Sequence, residues 1–233
     1  MLMDILLEKY KIKQTVRYVN SSIFVQNLQM SFKKLNPLLK EALEHLDFEM
    51  PLPFQKKFLP KLKGGANIYG IAQKGSGKTI ALIIATIHQL KAKAFEDSPR
   101  ALILVKDKQA ALDLHEEFER FIKFTDLRLY CAYDGYDLDK QREEIYYGVD
   151  ILIATPKRLN KLYFMNSVHL GQLRLFALDD AEFLIRQNYH NDVLRVTESL
   201  HKCQFVILAE EMHKKFEQLR NTFMYNSQVV YAE

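Results

Sequence analysis

Seven short apolar runs, at residues 67–71, 101–105, 127–132, 150–154, 173–178, 204–208 and 228–231, recur along this chain with helical patterns between them. Runs of this length, rich in β-branched residues, read as strands, and strands that alternate with helices imply βαβ units and a parallel sheet. The helices show through their apolar faces, for example Leu112, Phe118, Phe121 and Ile122, or Leu194, Val196 and Leu200. The predicted fold is therefore α/β: three layers, with a mostly parallel sheet flanked by helices. Sheets of this kind hold ligands beyond the carboxyl ends of their strands, and every chemically suggestive segment of this chain falls at such an end. With 233 residues, 48% of them apolar, the chain can bury one sizeable domain and carry an appendage. Residues 1–31 are that appendage, of unknown role. They hold a short helical pattern at 3–10 and a β-leaning stretch at 15–25, outside the rhythm of the rest. The polar segment 91–100, which contains Pro99, is the expected flexible loop.

The first predicted strand runs into Ala72-Gln73-Lys74-Gly75-Ser76-Gly77-Lys78-Thr79, and a long apolar helix pattern follows over 79–90. Strand, glycine loop and helix together form the context in which a phosphate-loop match carries meaning. Gly75 and Gly77 let the backbone turn tightly and aim successive N–H groups inward, and the helix adds the positive end of its dipole to the same cavity. Lys74 to Thr79 would then hold the phosphates of a nucleotide, with the Lys78 ammonium on the phosphates and the Thr79 hydroxyl on Mg2+. A Gly-Ser-Gly turn that only ended a strand would not call for Lys and Thr directly after it.

A second feature stands where the run 173–178 ends: Asp179-Asp180-Ala181-Glu182. A strand-end carboxylate is the usual partner of a phosphate loop, holding magnesium opposite the loop threonine, and Asp179 is the candidate. Acidic residues also cap helix starts, and for this box alone the two readings are evenly matched. The phosphate loop upstream tips the choice to the functional one.

Composition excludes several classes. A formal charge of +4 is compatible with a nucleic-acid surface without specifying one. Cys131 and Cys203 lie in or beside strand-like runs, and with no secretion-type leader they read as buried thiols of a cytoplasmic protein. No stretch is apolar for long enough to span a bilayer, so no membrane partner is expected. The seven histidines have no metal-ligand spacing.

The phosphate loop and the acidic box, in this order, resemble the first RecA-like domain of a DEAD-box RNA helicase, and the likeness extends over residues 32–233. Upstream, Asp47-Phe48-Glu49-Met50-Pro51-Leu52-Pro53-Phe54-Gln55 is similar to the family's adenine-reading segment. The resemblance implies that Gln55 reads the adenine edge of ATP through its amide while Phe48 or Phe32 packs on the ring. Downstream, Ala154-Thr155-Pro156-Lys157-Arg158 is similar to the family's TPGR segment. Thr155 can cap a helix that starts at Pro156, leaving N–H groups and Arg158 to meet an RNA phosphate. Within the resemblance, Lys78, Asp179 and Asp180 are the catalytic set, Thr79 and Asp179 hold Mg2+, and Asp180 orients the attacking water. Lys106, Lys108, Gly135, Thr155 and Arg158 form the face toward single-stranded RNA.

Departures from the family pattern bear on activity. The box is Asp-Asp-Ala-Glu where the family has Asp-Glu-Ala-Asp, so the water-orienting carboxylate at 180 is one methylene short. That withdraws it by roughly 1.5 Å, and a misplacement near 1 Å can cost about a hundredfold in rate. The Ser-Ala-Thr that links nucleotide state to unwinding is Leu208-Ala209-Glu210, the RNA segment Pro-Thr-Arg-Glu-Leu is Lys106-Asp107-Lys108-Gln109-Ala110, and a glycine pair is reduced to Asp134-Gly135. The lysines are point charges without arginine's forked geometry. The 233 residues leave no room for a second RecA-like domain, which carries the family's arginine fingers. The chain is therefore expected to be either a fragment of a longer helicase or a single-domain relative that works with a second domain in trans or a protein partner. Without such a finger hydrolysis falls by on the order of a thousandfold or more. Tyr130, Tyr133 and Tyr136, and Tyr146 with Tyr147, read first as core and rim aromatics, with base stacking as the alternative.

Overall fold

The computed structural model describes residues 35–186, 189–200 and 202–232. The expectations for the appendage and for Phe32 lie outside the described residues. Seven strands form one parallel sheet, in the order β3-β4-β2-β5-β6-β1-β7. They are β1 (Ile68–Ile71), β2 (Ala101–Leu104), β3 (Leu129–Ala132), β4 (Ile151–Ala154), β5 (Leu175–Leu178), β6 (Gln204–Ala209) and β7 (Gln228–Tyr231). Six fall within the apolar runs of the sequence, and β6 extends one residue past its run, to Ala209. The mostly parallel sheet that was expected is parallel throughout.

The helices are α1 (Pro37–His45), α2 (Pro53–Lys63), α3 (Lys78–Gln89), α4 (Lys108–Ile122), α5 (Leu138–Tyr146), α6 (Pro156–Phe164), α7 (Phe183–Arg186), α8 (His190–Thr197) and α9 (Lys214–Gln218). Alternation along each strand divides the core between the two faces of the sheet. Ile68, Ile103, Ile153, Leu175 and Leu208 pack against α1 to α4 through Leu39, Phe58, Ile83 and Phe118. Tyr69, Leu102, Leu152, Phe176 and Ile207 pack on the other side with Leu159, Val196 and Phe216. Helix α4 shows how local chemistry sets a boundary: Asp107 accepts from the Ala110 N–H at 2.9 Å and caps its start, a contact typically worth about 1 kcal/mol.

Two expected helix faces are shifted. On α4, Leu114 is buried and Leu112 is exposed, because the helix starts at Lys108 and its buried stripe runs through Ala111, Leu114, Phe118 and Phe121. On α8, Val193, Val196 and Thr197 face the core, Leu194 is only partly covered, and Leu200 lies beyond the helix end. The thiols of Cys131 and Cys203 are free and half-buried rather than fully buried; burial pushes Cys203 up to about 12. Segment 91–100 is irregular as predicted, but it is anchored: the Phe95 N–H and Arg100 Nη2 both donate to Asp150 Oδ1, at 3.0 and 2.6 Å. Among the described residues no helix is long and apolar enough to cross a membrane.

The strand register places the chemistry. Ala132, Ala154, Leu104 and Leu178 stand level across β3, β4, β2 and β5, so the loops that follow them emerge along one edge of the sheet. The loops after β1 and β6 leave from the same edge.

Candidate functional site

At this edge the segment after β1 forms a tight loop into α3. Gly75 and Gly77 take φ values of 79° and 80°, a region open to glycine at little cost. A Cβ on Gly77 would stand 2.6 Å from Gln55 Nε2, whereas one on Gly75 would meet open space. One glycine is thus required by packing, and the other opens the mouth of the cradle. The Ser76 hydroxyl is buried with no hydrogen-bond partner. Lys78 is buried, and its ammonium donates to the loop carbonyls of Ala72 and Gln73; Lys74 is exposed.

Across the mouth, the Thr79 hydroxyl lies 3.2 Å from Asp179 Oδ2 and 3.4 Å from Oδ1. Asp179 comes from the end of β5, two strands away, so the sheet brings together residues one hundred positions apart. Burial, and then the neighbouring Asp180 carboxylate, push Asp179 up to about 7, against the opposing pull of the Thr79 hydroxyl and Lys78. Asp180 has a φ of 49°, the left-handed region that aspartate enters more readily than most residues. This bend turns the chain away from β5 and aims the next residues along the sheet edge.

The residues assigned to adenine are placed differently from expectation. Gln55 is 1% exposed; its Oε1 accepts from the Leu52 N–H at 2.9 Å and its Nε2 donates to the Gly77 carbonyl at 3.2 Å. The amide therefore braces the phosphate loop against the start of α2. Phe48 packs on Phe121, ring centroids 5.4 Å apart, and is drawn toward the core.

The expected RNA-facing residues divide in two. Lys106 and Lys108 are exposed, and Gly135 takes a φ of 87° with open space around it. Thr155 and Arg158 are turned inward. The Thr155 hydroxyl makes no cap to α6 and donates instead to Asp134 Oδ2 at 2.9 Å. Arg158 is 5% exposed, donates to the Tyr136 carbonyl at 2.9 Å, and has Nε 3.9 Å from Asp134 Oδ1. Its Nε and Nη1 make no hydrogen bond. Both side chains are held by the loop after β3, Thr155 by the Asp134 carboxylate 21 residues before it and Arg158 by the Tyr136 carbonyl.

Glu182 was visible in the sequence only as the last letter of the acidic box. Its Oε1 accepts from the Glu210 N–H at 2.6 Å, and the Ala181 N–H donates to the Leu208 carbonyl at 2.8 Å. The box is thus stitched to the end of β6 by a side chain long enough to reach backbone. Hydrogen bonds to charged groups contribute about 1.5–3 kcal/mol. Glu182→Ala should therefore lower the melting temperature by about 3–12 °C, at 2–4 °C per kcal/mol for a chain of this size; an unchanged thermal melt would show that the link carries no weight.

An all-parallel sheet, a phosphate loop and a strand-end carboxylate facing the loop threonine define a RecA-like phosphate-loop domain. The chain belongs to the DEAD/DEAH box helicase family, whose sequence pattern its residues 52–225 match. It is 32% identical over 207 residues to the ATP-dependent RNA helicase RhlB of Yersinia pestis (strain Pestoides F), covering 85% of this chain and 48% of that protein. The same figures hold for the Yersinia pseudotuberculosis RhlB. The chain spans about half the length of the curated relatives it matches. The fold superimposes on a DEAD box protein from the hyperthermophile Methanococcus jannaschii with a TM-score of 0.79 at 22% identity, covering 86% of this chain and 55% of that one. For the yeast DEAD-box splicing factor Prp28 the TM-score is 0.77 at 22% identity, with 84% and 49% covered. At that identity these two share its fold.

Proposed function

We propose that residues 32–233 form a cytoplasmic Mg-ATP-binding helicase domain that also binds single-stranded RNA, turns ATP over slowly, and does not separate strands without a partner. The observation that carries this reading is the 3.2 Å approach of the Thr79 hydroxyl to Asp179 across a glycine cradle. The cradle suits a phosphate chain: Ser76 Oγ is buried without a partner, and open space lies over Gly75. Thr79 and Asp179 supply the oxygen ligands that magnesium prefers, and a cation between them would favour the ionised form of Asp179. Mg-ATP, when bound, supplies an electrophilic phosphorus whose charge the metal offsets. The chain's own residues do the rest. Lys78 exchanges its loop carbonyls for phosphate oxygens, the N–H groups at the start of α3 hold the same anion, and Asp180 accepts a hydrogen bond from the attacking water.

Lys78→Ala should therefore weaken ATP affinity at least tenfold by calorimetry and reduce phosphate release to background. Retention of wild-type affinity would remove the loop from nucleotide binding. Preference for adenine requires Gln55 to release the Gly77 carbonyl and turn its amide to the base. ATP should bind at least several-fold tighter than GTP, and equal affinities would leave Gln55 with its bracing role alone.

A second reading, a helicase-like scaffold that binds nucleotide or RNA without turnover and acts through a partner, is favoured by the short carboxylate at position 180. Steady-state phosphate release with and without single-stranded RNA, against the Lys78→Ala background, separates the two. RNA-stimulated release supports the enzyme; ATP binding without release supports the scaffold. In the enzyme reading a second RecA-like domain, or a protein partner, would supply the arginine that stabilises the transferred phosphoryl group.

A further inference from the structure

We propose that Tyr136 and Tyr133 form a stacking platform for an unpaired RNA base, an element of recognition added to the phosphate contacts of the RNA-binding reading above and resting on that reading. The two rings lie 6.0 Å apart at 55°, on the loop that follows β3. Lys108 Nζ sits 5.2 Å from the Tyr133 ring centroid, bringing a phosphate-seeking cation from α4 to the same place. The rings open on a cavity of about 380 Å³ lined also by Tyr130, Cys131 and Lys140. Tyr136 is 47% exposed, a large aromatic face left in contact with water.

What distinguishes this loop from a chance surface tyrosine is how it is held. Gln141 Nε2 donates to the Tyr133 carbonyl at 3.2 Å, the Thr155 hydroxyl to Asp134 at 2.9 Å, and Arg158 Nη2 to the Tyr136 carbonyl at 2.9 Å. All three donors are buried. Two of them are the residues that the sequence assigned to an RNA phosphate. Here they fix the backbone that presents the rings, so a base would meet a surface already in place and little ordering would oppose binding. Gly135, between the two tyrosines in sequence, has a φ of 87° and nothing within 4 Å of where a Cβ would be, so the loop adds no side chain there. Glu143 and Glu144 line the cavity beside Lys140, and two carboxylates against one ammonium disfavour a phosphate within it. The strand must therefore enter with its backbone toward Lys108 and a base toward the tyrosines. Stacking of this kind tolerates any base, because every base has a π face.

The test compares binding of a single-stranded RNA octamer with that of an abasic ribose-phosphate octamer of equal charge, by fluorescence anisotropy. Wild-type protein should prefer the octamer with bases by about tenfold, Tyr136→Phe should keep that preference, and Tyr136→Ala should lose it. A 2-aminopurine placed in the octamer should be quenched by wild type and by Tyr136→Phe but not by Tyr136→Ala. Lys108→Ala should weaken both oligomers alike and reduce the salt dependence by about one phosphate contact. Circular dichroism confirms folding, and the half-exposed Tyr136 ring can be removed without touching the carbonyl that Arg158 holds. Equal binding of the two octamers by wild type, or an undiminished preference in Tyr136→Ala, overturns the platform alone. Failure of wild type to bind either octamer overturns the RNA-binding reading and the platform with it.

Discussion

Asp150→Ala is expected to cost about 3–5 kcal/mol of folding stability, the range for removing one partner of a buried ion pair, and so to lower the melting temperature by roughly 6–20 °C. Asp150 is fully buried at the start of β4. Its Oδ1 accepts from Arg100 Nη2 at 2.6 Å and the Phe95 N–H at 3.0 Å, and its Oδ2 from the Arg128 N–H and Nε, each at 3.0 Å. One carboxylate thus ties the loops before β2 and β3 to β4, and its removal strands the Arg100 guanidinium, itself 4% exposed. The pH dependence has a definite sign. Burial raises the Asp150 carboxyl, but the hydrogen bonds from Arg128, Arg100 and Phe95 overcome it and hold the group below its ordinary 3.8. A depressed folded value means that this stability is present above pH 3.8 and lost as pH falls through the folded value. Asp150→Asn should flatten the acid side of the stability profile, and identical acid profiles for the two proteins would contradict the assignment.

No sequence motif announces Asp150, and that absence marks what the sequence could reveal. The strands were legible because a parallel sheet buried on both faces needs continuous apolar runs, and 228–231 was even read to its exact ends. The phosphate loop was legible because its glycines, lysine and threonine are contiguous and do their work locally. Orientation was less so. Thr155 and Arg158 suit a phosphate by type, but each is drawn to a carboxylate or carbonyl from the loop after β3, and nothing near position 155 signals that pull. The partners of Gln55 and Phe48 were hidden for the same reason: the Gly77 carbonyl and Phe121 reach them only once the fold is made. On α4 the error was smaller, a shift of the apolar stripe from Leu112 to Leu114, since a wide apolar face can be read in more than one phase until the helix start is fixed. Glu182 shows the opposite case. Read alone it is a departure from the family box, yet its extra methylene lets it reach the Glu210 N–H when the hydroxyls of the neighbouring segment are missing. Two departures from the family pattern thus meet in a single hydrogen bond.

The same reasoning leads to a gain of activity in Asp180→Glu. If Asp180 orients water, its carboxylate lies about 1.5 Å short of the reach that glutamate provides, and restoring that reach is expected to raise phosphate release by tens of fold, within the roughly hundredfold span associated with displacements of this size. The backbone sets a counter-effect that the sequence did not show. Position 180 has a φ of 49°, which aspartate tolerates through local hydrogen bonding and glutamate does not, at a cost of about 1–2 kcal/mol. The variant should therefore be faster and less stable, with a melting temperature lower by several degrees, while Asp180→Ala should release no phosphate above the Lys78→Ala background. Single-turnover release measured beside thermal unfolding separates the two effects. A faster and less stable Asp180→Glu would place position 180 at the water and explain the aspartate as the residue that fits the bend. An unchanged rate would show instead that the bend after β5 already carries the shorter carboxylate to its target.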